Sequence, residues 1–144
     1  MIKKSIAAIV SIFLLSVSGQ AEEFKIPKAQ AAGLIGEWKV IKMGKGEDLE
    51  DAPGDRKLGM TFKEDGTGSH VKGDRERAIK WGADAKGVFA AQWVKEDGRL
   101  DDGIMGSWEI TNEGLLLKGH EYEDGQGPPE KAFTVLMVRV DPED

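Results

Sequence analysis

From residue 36 onward, apolar side chains recur at every second position in short runs, and turn residues separate the runs. Trp38 and Val40 alternate with Glu37 and Lys39, and Leu58, Met60 and Phe62 alternate with Gly59, Thr61 and Lys63. Similar runs follow around Val71, around Ile79 and Trp81, over residues 88–94, through Ile104, Gly106, Trp108 and Ile110, over 115–117, and over 133–140. A period of two is that of a strand with one face buried. Between the runs, Glu64-Asp65-Gly66-Thr67, Gly73-Asp74, Glu96-Asp97-Gly98 and Asn112-Glu113-Gly114 carry residues that accept the positive φ of a hairpin turn. The pattern predicts about eight strands at spacings of roughly 8 to 12 residues, an all-β sandwich or barrel. The Glu-Asp-Gly triplets at 64–66, 96–98 and 123–125 have unlike flanks, so they are turn chemistry and not a repeat.

Two stretches are too long and polar to be tight turns. Residues 44–57 hold five acidic side chains and Pro53, and 120–131 hold Pro128-Pro129, which excludes regular pairing there. The run at 133–140 is apolar on both faces and is expected to be covered on both. Ahead of the strands, residues 22–36 are polar, and Lys28-Ala29-Gln30-Ala31-Ala32 after Pro27 predicts a short helix stopped by Gly33 or Gly36.

The first 21 residues read as a cleaved export signal. Lys3 and Lys4 precede an apolar run over residues 6–17, shorter than the about 20 residues a spanning helix needs. Small residues then precede a cleavage point after Ala21. The expected location is secreted or periplasmic, with no stable membrane anchor. Cleavage leaves 144 − 21 = 123 residues, one domain, and takes two of the 20 basic residues, so 18 face 26 acidic ones for a net charge of −8. That balance repels phosphate backbones, so no nucleic-acid partner is expected. The chain has no cysteine, and a core of this size needs no disulfide.

Gly36-Glu37-Trp38 on the first strand, a long first loop and a meander of hairpins resemble the lipocalins. The closer likeness is to small bacterial lipocalin-like domains, in the stretch Met60-Thr61-Phe62-Lys63-Glu64-Asp65-Gly66-Thr67-Gly68, in Gly106-Ser107-Trp108-Glu109-Ile110 and in the apolar last strand. The resemblance implies an antiparallel up-and-down β-barrel of about eight strands over residues 37–144, following a 22–36 segment with its short helix. It also implies that an arginine near the barrel's end packs over the first tryptophan, and Arg139 is placed to stack on Trp38 by a cation–π contact. The alternative is a solvent-facing arginine. The lipocalin Thr-Asp-Tyr motif does not occur in the chain, which points to the looser relative.

No Gly-x-Ser-x-Gly elbow is present, and His70 and His120 each lie beside a turn, so no catalytic residue and no enzyme activity is expected. Asp97, Asp101 and Asp102 crowd one loop and His120, Glu121, Glu123 and Asp124 another, but residues 96–103 lack the ligand register of a calcium hand and His70 with His120 fall short of the three or four protein ligands zinc takes, so solvated acidic turns are expected, with no metal and no cofactor. The ligand-binding candidates are the aromatic residues Trp38, Trp81, Trp93, Trp108, Phe62 and Phe89, with Gly36, Trp38 and Arg139 structural. An eight-stranded barrel is just wide enough to be filled by side chains or to hold one small ligand. Two readings follow: a binding protein for a small apolar or amphipathic ligand, and a filled barrel whose acidic first loop meets a protein partner in the cell envelope.

Overall fold

A computed structural model describes residues 24–46, 48–53, 57–125 and 129–140. The export signal read at residues 1–21 lies outside the described residues, as do residues 47, 54–56 and 126–128 of the two long loops.

The eight barrel strands form where the alternation places them, two of them running further than it indicates, and a short extra strand forms within the acidic loop. They are β1 (Gly36–Gly44), β2 (Leu49–Asp51), β3 (Leu58–Phe62), β4 (Thr67–Lys72), β5 (Arg75–Ala83), β6 (Val88–Val94), β7 (Leu100–Thr111), β8 (Gly114–Tyr122) and β9 (Ala132–Arg139). Each strand from β3 to β9 pairs antiparallel with the next, β3 pairs with β1, and β9 returns to pair with β1. Eight strands therefore close into an antiparallel barrel and leave no free edge. The short β2 lies outside the ring, on the edge of β1 that β3 leaves after Lys39. The turn glycines behave as the sequence requires: Gly66, Gly73, Gly98 and Gly114 all have positive φ.

Strand direction sorts the inward residues into two ends. At one end Trp38, Phe62, Trp81, Phe89, Ile79 and Leu115 are buried together. Phe62 lies 4.9 Å from Trp81 and 5.6 Å edge-on to Phe89, distances at which aromatic quadrupoles attract. Both deeply buried indoles satisfy their N–H: Trp38 donates to the Leu34 carbonyl at 2.8 Å, and Trp81 to those of Lys63 and Thr67. This end is therefore dry and filled. The β7–β8 ladder pairs Gly106 with Gly119, where an added Cβ at either would strike the other strand's backbone. That close approach is a tight bend at a barrel corner.

The helix expected at 28–32 does not form. The carbonyl of Ala29 accepts from Ala83 N–H and Ala31 N–H donates to the Ala83 carbonyl, so the backbone groups of this segment bond to β5 in a parallel bridge at Gln30. A helix that short has a costly nucleus and few bonds to repay it, whereas β5 offers partners at once. One 3₁₀ turn, Ala32–Leu34, follows. It plugs the filled end, with Leu34 fully buried and Ala31 and Ile35 packed on the core. On β9, Met137 is buried inward and Thr134 and Leu136 are buried on the opposite face, so both faces are covered in mid-strand. Among the described residues no helix is long and apolar enough to cross a membrane.

The plug is fastened from the far end of the chain. Arg139 places its guanidinium 4.4 Å over the Trp38 ring and donates to the carbonyls of Ile35 (2.7 Å) and Gly33 (2.8 Å). Gly36 sits beneath it with φ 134°, and an added Cβ would stand 2.5 Å from Arg139 Nη1. Charge-assisted hydrogen bonds plus a cation–π contact predict that Arg139→Met lowers the unfolding free energy by about 2 kcal/mol. Gly36→Ala adds backbone strain of about 1–3 kcal/mol. Arg139→Lys recovers only part of the loss, because an ammonium cannot stack flat and serve two carbonyls as a guanidinium does. Urea titrations of the three variants check this, and an Arg139→Lys protein as stable as the parent would refute the role given to the fork.

Candidate functional site

The opposite end of the barrel is hollow. β1, β4, β6 and β8 run from the filled end to this one, and β3, β5, β7 and β9 run back. The last inward residues of the first set and the first of the second therefore ring one opening. They enclose a cavity of about 450 Å³, within the roughly 300–1,000 Å³ range of small-molecule sites. Its inner wall is apolar: Met60, Trp93, Ile104, Leu117, Val135 and Met137. Nearer the mouth stand Met43 from β1, Leu58 from β3 and Phe133 from β9.

Charge is divided across the mouth. Lys72, Arg75 and Arg77 come from the β4–β5 hairpin, while Asp102 and Glu121 come from β7 and β8. A register shift between Gln92 and Val94 gives β7 an extra residue there. Bulges of this kind re-aim side chains, and here Asp101 reaches back over β6 to Arg77 at 2.6 Å. The hydrogen bond from Arg77, then that from Asp102 N–H, holds the Asp101 carboxyl below its ordinary range.

His70 lies inside this wall. Its ring meets Trp93 edge-on at 5.2 Å, opposite Met60 on β3. Burial first, then Arg77 and Lys72, push its pKa down to about 4, so the imidazole is neutral at neutral pH. A neutral ring can both donate and accept a hydrogen bond within the cavity.

The structure divides the aromatic residues singled out from the sequence. Trp93 lines the cavity, whereas Trp38, Phe62, Trp81 and Phe89 form the filled end. Trp108 packs against that core too, with its indole N–H donating to the Asp84 carbonyl at 2.9 Å. Gly59 lets the Trp38 carbonyl approach its backbone. Phase reveals the wall residues that an eye for aromatics passes over. Arg75 and Arg77 share the parity of Ile79 and Trp81, and His70 and Lys72 that of Gly68, which faces Phe62 across the β3–β4 ladder. At the rim, Asp101, Asp102 and Asp124 have carboxylates within 4.8 Å of one another. Two of the three already accept internal donors, Asp101 from Arg77 and Asp102 from Asp124 N–H, so the group ties the turn after β8 to β7.

His70 makes stability depend on pH. Its folded pKa of about 4 lies below its ordinary value of 6.5, so the unfolded chain binds more protons between the two. The contribution is complete above pH 6.5 and is lost as pH falls toward 4. The charged groups that face it are Lys72 on its own strand, Arg75 and Arg77 on β5, Asp102 on β7 and Glu121 on β8. Urea midpoints at pH 7 and pH 5 should differ less for His70→Leu than for the parent, and an unchanged difference would remove His70 as the cause.

The chain matches no protein-family model, no curated protein and no solved structure.

Proposed function

We propose that the protein is an exported binding protein of lipocalin-like type that holds one small amphipathic molecule in the open half of its barrel. The observation behind this reading is the segregation of the interior. The largest side chains fill one end, while the other keeps about 450 Å³ behind an apolar wall and a charged mouth. Filling that space needs only larger side chains at Val135 or Leu117, and a barrel selected for stability alone gains by filling it. Apolar walls with a few placed polar groups suit a ligand with one apolar and one polar part. Export rests on Lys3, Lys4 and the apolar run before Ala21.

Titration with the neutral fluorophore N-phenyl-1-naphthylamine tests the cavity. Saturable one-site binding with energy transfer from Trp93 is expected, weakened about tenfold or more by Val135→Trp, which fills the space; binding unaffected in that variant would place the probe elsewhere. Unchanged far-UV circular dichroism shows that the variant is folded, and Leu117→Phe is a gentler filling. Mass spectrometry of the protein from an envelope fraction should give a chain beginning at Glu22.

A further inference from the structure

We propose that the molecule held in this cavity carries an oxyanion head group, and that this group takes the place of the Asp101 carboxylate on Arg77, with Lys72 and Arg75 beside it. This rests on the container reading above and names the chemistry of its ligand.

Cross-strand register is the first ground. Lys72 stands directly opposite Arg75, and His70 directly opposite Arg77. Lys72 and Arg75 are both cations, and like charges directly opposite each other destabilise a ladder, whereas the His70 opposite Arg77 is neutral. Both rows line the same side of the cavity mouth. The chain has ample carboxylates with which to neutralise such a wall, 26 acidic residues against 20 basic. Yet among the described residues Lys72 and Arg75 form no ion pair, and only Arg77 has a partner. Arg75 and Arg77 are in phase with Ile79 and Trp81, so they stand on the cavity side of β5.

The second ground is the nature of the Asp101 contact. It crosses from β7 over β6 at a bulge, and its two side chains are 37% and 23% exposed. A pair this accessible is weak, so a competing oxyanion can displace it. The planar guanidinium then receives the head group in the two-pronged geometry it offers to a carboxylate. The apolar tail lies inward along Trp93, Ile104 and Val135, away from water. Asp101 thus holds Arg77 in position while the cavity is empty and yields when it fills.

Three probes of equal chain length, each below its micelle concentration, separate the outcomes: dodecanoate, 1-dodecanol and dodecylammonium, competing with N-phenyl-1-naphthylamine. Dodecanoate should bind at least about tenfold tighter than dodecanol at low salt, with the advantage shrinking as salt rises. Lys72→Gln with Arg75→Gln should cut that advantage several-fold, Arg77 remaining, and leave dodecanol unaffected. Asp101→Asn should tighten dodecanoate several-fold, because Arg77 is released, again without effect on dodecanol. Equal binding of dodecanoate and dodecanol keeps the container and overturns the anion site. Tightest binding of dodecylammonium moves the head group to Asp102 and Glu121 and overturns it as well. A dodecanoate preference that is unchanged by Lys72→Gln with Arg75→Gln and is not raised by Asp101→Asn removes these residues from the site. Failure of all three probes to bind removes the container reading and this inference together.

Discussion

The closure of β9 onto β1 is the constraint on which everything else depends. It joins strands from opposite ends of the domain, and Arg139 reaches carbonyls 104 and 106 residues away in sequence. Closing so long a loop carries an entropic penalty that local hairpins do not. Arg139 pairs with Trp38 in the ladder, stacks on its ring and holds the turn that plugs the barrel. One residue therefore joins the seam, the first tryptophan and the plug. Gly36 belongs to the same device, because only a residue without Cβ leaves the guanidinium its place.

Concentrating closure and plug at one end frees the other. The stability of a small barrel comes from dense packing of large side chains, and here Trp38, Phe62, Trp81, Phe89, Leu34 and Leu115 supply it within one half. The strap of residues 24–31 adds a second layer outside, with the Phe24 ring tilted against Tyr122 at 5.4 Å and the Pro27 carbonyl set against Gly82. Its backbone bonds to β5 at Ala83, near the plugged end. A densely packed half thus carries a hollow half.

Much of this was legible in the alternation. All eight barrel strands and their hairpin turns follow from period-two runs punctuated by Gly66, Gly73, Gly98 and Gly114. The helix at 28–32 misled because local propensity carries no information about a waiting strand edge at Ala83. Strand β2 was hidden within the acidic loop, since three residues are too few to show a period. Strand β8 runs on through His120 to Tyr122, where the sequence suggested loop, because ladder partners Gly103 to Met105 extend it. The division of the interior was the least legible feature. Alternation says which residues point inward but not at what height, and height depends on register. Trp93 and Trp81 are equally inward by pattern, yet one lines a cavity and the other is core.

The same loss of height information explains why a search for aromatics finds the floor rather than the site. Large apolar residues are placed by packing, and packing concentrates where the barrel is filled. The residues around the cavity mouth stand out instead by their disagreement with packing: a histidine kept neutral by burial, and Lys72 facing Arg75 across a ladder. Proteins depart from local consistency chiefly where function requires it. The turn glycines have the φ their hairpins need and the Trp38, Trp81 and Trp108 indoles are hydrogen-bonded, so the wall of Lys72 and Arg75 stands out as the place where electrostatics and strand pairing conflict. Its cations share one edge of the mouth, and Asp102 and Glu121 stand on the other. That opposition gives the opening a polarity, and a polar opening orients whatever enters it.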